Sequence, residues 1–157
     1  MTGTARASIA IISTAVVDLL RSGLERDGLE GVVALGASAS SAKKPARARL
    51  EVVLHRINPD PAMRQAPPGR DGPVEHALAL RLGYVVLARG PGPAAEQRVI
   101  TAALRALTDE PVLIAGGPGP WRVGVEAVTD ELRVAFFAAM RLPVCPSAWC
   151  EITGVID

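Results

Sequence analysis

The chain carries few of the side chains with which proteins usually do chemistry. Its two cysteines, Cys145 and Cys150, have four residues between them, and its two histidines, His55 and His76, form no ligand-spaced pair. A structural zinc site needs four ligands and a dithiol redox centre needs the compact Cys-x-x-Cys spacing, so neither a metal nor a cofactor is expected. Aromatic residues make up 3% of the chain, too few to interleave with the basic cluster Lys43, Lys44, Arg47 and Arg49 as a base-stacking platform. With 17 basic residues against 16 acidic ones, the net charge of +1 supplies no global field for nucleic acid or an anionic membrane. Arginine accounts for fifteen of those basic residues, a bias that goes with the abundant Ala, Gly and Pro and reads as a compositional habit.

Long apolar runs are also missing. Residues 9–20 are broken by Asp18 and are followed by no clean small-x-small cleavage site, and nothing reaches the roughly 18 uninterrupted apolar residues of a membrane span. A soluble, cytoplasmic protein is expected. No Gly-x-Ser-x-Gly elbow is present, because Gly36-Ala-Ser-Ala-Ser lacks the closing glycine. Gly90-Pro-Gly-Pro and Gly116-Gly-Pro-Gly-Pro read as plain turns, since phosphate loops work by presenting backbone N–H groups and alternate prolines delete them. His55 has no nucleophile or orienting acid near it in sequence, so it reads as a surface or interface residue rather than a general base. An enzyme is not expected.

What the chain does have is two long strand patterns. In residues 48–58, Leu50, Val52 and Leu54 alternate with Arg49, Glu51 and His55; in 75–89, Leu78, Leu80, Leu82, Tyr84 and Val86 alternate with Ala79, Arg81, Gly83 and Val85. Period-two alternation gives each strand one dry face and one mixed face. Prolines 59, 61, 67, 68 and 73 stiffen the connection between them and keep it out of the ladder.

Around this pair, helical spacing of Ile9, Ile12, Val16, Leu19, Leu20 and Leu24 predicts an amphipathic helix over 5–27. Residues 31–35 read as a short strand or turn, and the small-residue stretch 36–47 as a mobile loop. Val99, Ile100, Ala103, Leu104 and Leu107 mark a second helix over 94–108, and 112–115 a short strand. Trp121, Val123, Val125 and Ala127 alternate as a further strand. Thr129 caps a third helix whose inner face is expected to carry Leu132, Ala135, Phe136, Ala139 and Met140, with Asp130 and Glu131 in its positive first turn. Residues 147–156 form the last strand. The economical arrangement is a single α+β domain over 1–157, a two-layer structure with a mixed, mostly antiparallel sheet and its helices on one face, with 36–47 and 59–74 as flexible or protruding loops.

One ordered set of segments resembles a known family. Leu50-Glu-Val-Val-Leu-His-Arg-Ile-Asn-Pro-Asp-Pro-Ala-Met-Arg is followed by Leu78-Ala-Leu-Arg-Leu-Gly-Tyr-Val-Val, the helix Glu96-Gln-Arg-Val-Ile-Thr-Ala-Ala-Leu-Arg-Ala-Leu, and Pro111-Val-Leu. Together they look like the N-terminal domain of the cap, or tail terminator, protein of extracellular contractile injection systems, the phage-tail-like particles typified by the antifeeding prophage and the Photorhabdus virulence cassettes. The likeness runs from the first helix to the last strand. It departs at Gln65, where an Asn is common, and at Phe136-Phe137, where a Leu-Trp pair is frequent. The sequence ends at Asp157 without the additional C-terminal region of some members.

The resemblance implies a structural subunit with a tail-terminator-like fold. Such subunits form a hexameric ring that ends tube and sheath polymerisation at the baseplate-distal end, with sheath and inner tube proteins as partners. A terminator must grip the last turn of a polymer and offer nothing to the next, which open strand edges and rigid loops can do. The expected contact residues are Arg49, Glu51, Arg56, Asn58, Pro59, Pro61, Arg64 and Arg81, with Asn58 to Arg64 as a proline-braced loop; Asn58-Pro59 as the plain end of a strand is the competing reading. A second functional reading is a small adaptor that recruits cargo or a membrane partner through 36–47. Membrane contact is left open by the sequence.

Overall fold

The computed structural model describes residues 8–37, 44–61, 78–116 and 119–156. The order of elements is α1 (Ile9–Arg26), β1 (Val32–Leu35), β2 (Arg49–Pro59), β3 (Leu78–Arg89), α2 (Pro93–Asp109), β4 (Val112–Leu113), β5 (Trp121–Val125), α3 (Asp130–Met140) and β6 (Ser147–Ile156). The strands form one six-stranded sheet in the order β1-β2-β3-β6-β5-β4. β1 pairs with β2 in parallel, and every other neighbouring pair is antiparallel. This is the mixed, mostly antiparallel α+β architecture expected from the strand patterns. The expected loop segments 36–47 and 59–74 lie largely outside the described residues, as do Arg64 and His76.

The helices begin and end where their chemistry dictates. The Ser8 hydroxyl accepts the Ile11 N–H (3.3 Å) at the start of α1, and Gly28, at φ +66°, turns the chain away after it. Pro93 opens α2 from an extended Gly92. Thr129 accepts the Leu132 N–H (3.3 Å) to cap α3, with Asp130 and Glu131 in its first turn, and Arg141 in the left-handed region closes that helix.

The larger core lies on the first face of the sheet. Alternate residues of β3 (Leu80, Leu82, Tyr84, Val86, Ala88) point into it, together with Leu50 and Val52 of β2 and Cys150 and Ile152 of β6. α1 and α2 cover this face with Ile12, Val16, Leu20 and Leu24 and with Val99, Ala103 and Leu107. The two helices approach closely at Gly23, where a Cβ would stand 2.6 Å from that of Ala106. Tyr84, buried in this core, shares a hydrogen bond of 2.8 Å with the Ser13 hydroxyl and so ties α1 to β3. Burial raises the Tyr84 pKa, an effect moderated by that hydrogen bond. At the far side of the same core Trp121 is fully buried over Gly154, whose missing side chain leaves room for the indole ring.

The third helix departs from expectation. α3 packs on the second face, where Phe137 joins Val53, Val85, Leu87 and Trp149 in a smaller cluster. Phe137 is its one buried residue, whereas Leu132 and Met140, expected on its inner face, are 48% and 39% exposed. With the first face already filled by α1 and α2, α3 is left with the short apolar middle of a face that is otherwise charged.

Candidate interaction surface

That second face carries Arg49, Glu51, Arg56 and Arg81, and the strand register explains how they meet. Residues opposite one another across neighbouring strands project from the same face, so a register row is a row of side chains. One row crosses four strands as Arg56 on β2, Gly83 on β3, Glu151 on β6 and Gly124 on β5. A glycine between Arg56 and Glu151 lets the guanidinium lie across β3 and bond Glu151 at 2.8 Å and Glu126 at 2.8 Å. Arg81, exposed beside it, bonds Asp60 at 3.0 Å and lies 4.0 Å from Glu151. Arg56 and Arg81 are thereby joined through Glu151 into one network, and the hydrogen bond from Arg81 to the nearly buried Asp60 carboxylate pushes the Arg81 pKa upward.

A β-bulge makes this possible. The β2–β3 register shifts between Leu54 and Arg56, so the extra residue breaks strict alternation and both His55 and Arg56 turn to the second face. His55 packs edge-on against Trp149 and Phe136, with ring centroids 5.1 and 6.1 Å away. Burial lowers its pKa, the neighbouring Arg56 lowers it further, and Glu126 pulls the other way, so at neutral pH the imidazole is uncharged.

A second charged group sits at the other end of the face. Arg49 and Arg89 stand directly opposite one another on β2 and β3, an arrangement that like charges make unfavourable. Glu51, fully buried, lies between them at 3.2 and 3.4 Å. Arg49 and Glu51 thus belong to a separate cluster from Arg56 and Arg81, and the apolar patch under α3 divides the two. Glu51 itself has no surface to offer and reaches solvent through Arg49. Asn58, Pro59 and Pro61 are exposed at the end of β2, and the Asp60 N–H bonds the Ala79 carbonyl at 2.9 Å, which anchors the strand end.

Asp60, Arg89, Glu126 and Glu151 take part in these clusters and were not singled out by sequence pattern. Arg89 and Glu151 carry a signal, because each is a charge at a mixed-face position of a predicted strand. Among the described residues no group of three His, Cys, Asp or Glu side chains gathers as a cation site. Cys150 faces the first core and Cys145 the second cluster, so the sheet separates them, and burial pushes their thiols up to about 12 and about 11. One cleft, about 560 Å³, is an open trough between the end of α1 and α2 and is bridged by Arg105 and Asp27 at 3.3 Å. No described helix is long and apolar enough to cross a membrane.

The fold is therefore α+β, with charge networks gathered on one face of its sheet. The chain belongs to the Pvc16 N-terminal domain family, whose model matches residues 12–119. No curated protein sequence matches it. Its fold is similar to the cryo-EM structure of the PVC sheath/tube terminator of an extracellular contractile injection system in the extended state, with a TM-score of 0.71 at 17% identity. It is also similar to the anti-feeding prophage cap, a tube terminating cap, with a TM-score of 0.75 at 15% identity. Each alignment covers 96% of this chain but 57% and 55% of the two neighbours, so the chain spans a little over half the length of either.

Proposed function

We propose that this chain is the capping subunit of a contractile, phage-tail-like injection particle, assembling as a ring that ends tube and sheath polymerisation at the baseplate-distal end. The observation that carries this reading is the match of nearly the whole chain, 96%, to the fold of a tube terminating cap, within a chain that belongs to the Pvc16 N-terminal domain family. The ring is read as hexameric, its partners as sheath and inner tube, its action as non-catalytic and its place of assembly as the cytoplasm. Residues 1–157 act as one terminator-like unit, with 36–47 and 59–74 as its flexible or protruding loops. Arg49, Arg56 and Arg81 supply polar contacts, the first two half-buried and the third exposed, and Asn58 to Arg64, braced by Pro59 and Pro61, forms the contact loop.

Light scattering coupled to size-exclusion chromatography tests this directly. A ring of about six subunits, seen also by negative-stain microscopy, supports it. A strict monomer that binds neither sheath nor tube contradicts it.

A further inference from the structure

The sheet ends in two short edge strands, β1 and β4, that carry no charge. Natural edge strands are usually blunted by charges, prolines or bulges. Here β1 reads Val-Val-Ala-Leu and the chain at β4 reads Val-Leu-Ile-Ala, with no charge in either. Val32 and Leu35 are 55% and 53% exposed, and Val112 and Ile114 are 45% and 82% exposed. Among the described residues no strand pairs with the outer side of either edge.

Two independent features fix how these edges can meet. The first is direction: β1 is parallel to β2, and the antiparallel steps through β3, β6, β5 and β4 reverse the chain an even number of times, so β1 and β4 run the same way. A copy placed head to tail against another, with the sheet continuing, therefore brings β4 beside β1 in parallel.

The second is the orientation of the backbone groups. Val32 N–H bonds the Ala48 carbonyl (3.3 Å) and Gly36 N–H the Val52 carbonyl (2.7 Å), which leaves the polar groups of Val33 and Leu35 pointing out of the sheet. Val123 N–H bonds the Pro111 carbonyl (2.9 Å), which leaves those of Val112 and Ile114 pointing out. Val33 and Leu113 both send their side chains into the first-face core. An antiparallel pair sets outward-pointing residues opposite each other, which here would place Val33 against a residue of the other face. A parallel pair sets an outward residue beside an inward one, so Val33 falls beside Leu113 and the apolar face runs on unbroken.

We propose that the β1 edge of one copy of this chain pairs in parallel with the β4 edge of the next, with Val32 beside Val112 and Ala34 beside Ile114. This inference rests on the capping reading and names the contact that builds its ring. The contact joins two different surfaces, and such contacts generate closed rings when the rotation between copies closes.

The test uses the full chain. Ile114→Pro removes an outward N–H that no bond among the described residues uses, and Leu35→Lys places a charge on the other edge. Both variants are expected to keep the wild-type circular dichroism and urea midpoint and to elute as monomers by light scattering. Val32→Cys and Val112→Cys supply a second readout that does not depend on dissociation: under mild oxidation the two single variants mixed together cross-link, neither does so alone, and the double variant gives a ladder beyond the dimer. Rings that persist in Ile114→Pro, with no Val32→Cys to Val112→Cys cross-link, overturn the edge contact and leave the capping reading standing. Val32→Cys cross-linking to itself overturns the contact in favour of two-fold pairing. A wild-type chain that remains monomeric and binds neither sheath nor tube overturns both.

Discussion

Gly83 lies directly under Arg56: a Cβ on it would stand 3.1 Å from the Arg56 Cβ and 2.9 Å from the His55 Nε2. The bare backbone at this point is what allows one arginine to cross a strand and hold two carboxylates. Gly83→Val is therefore expected to destabilise the protein by about 1–3 kcal/mol, the usual penalty for overpacking, and Gly83→Ala by less. Urea denaturation of the two variants checks this; a Gly83→Val protein as stable as wild type contradicts the packing described.

Glu51 separates two opposed arginines inside the protein. Removing one member of a buried ion pair typically costs about 3–5 kcal/mol, and partial exposure of Arg49 places Glu51→Gln toward the lower end. Replacing the charges together, as Glu51→Leu with Arg89→Met, is expected to recover much of the loss, because the uncompensated buried charge is then gone. Denaturation midpoints of the single and double variants measure the coupling.

His55 makes stability depend on pH in a defined window. Its pKa is lowered in the folded protein from the ordinary 6.5, so the unfolded chain binds the proton more readily. The stability linked to this residue is present above pH 6.5 and is lost as pH falls from there toward the folded pKa. Urea midpoints taken stepwise between about pH 7.5 and 5.5 are expected to fall for wild type and for His76→Gln, and to fall less for His55→Phe. Equal slopes in all three proteins would remove His55 from the account.

The thiols give a test of the two-faced sheet. With their pKa values pushed up by burial, Cys145 and Cys150 stay protonated at pH 8 and are expected to react slowly with Ellman's reagent until denaturant is added. Mild oxidation of the native chain is expected to give no intramolecular disulfide, because the sheet lies between the two sulfurs. A rapid native reaction, or a Cys145–Cys150 bridge found by peptide mapping, contradicts that placement.

Much of this architecture was legible in the residues. The alternation of Leu80, Leu82, Tyr84 and Val86 marked the face of β3 that meets the helices, and Thr129-Asp-Glu marked the start of α3. The second face was harder to read. A bulge at His55 cancels period two at the point where Arg56 must turn toward Glu151, and no local pattern announces an extra residue in a ladder. α3 was assigned a wide apolar stripe because Leu132, Ala135, Ala139 and Met140 have helical spacing, yet spacing does not tell which side of a sheet has room left. Asp60 reads as a turn residue beside two prolines, and its partner Arg81 comes to it through strand pairing across a long connection. The likeness to capping proteins was visible as an ordered set of segments and not in any one of them, as expected when fold is kept at 15–17% identity.

The most direct test of the capping role is to locate the chain in assembled particles. An epitope tag on this protein, imaged by electron microscopy with a bound antibody, is predicted to decorate the one end of each particle opposite the baseplate. Label along the sheath, at the baseplate, or absent from particles would contradict the account.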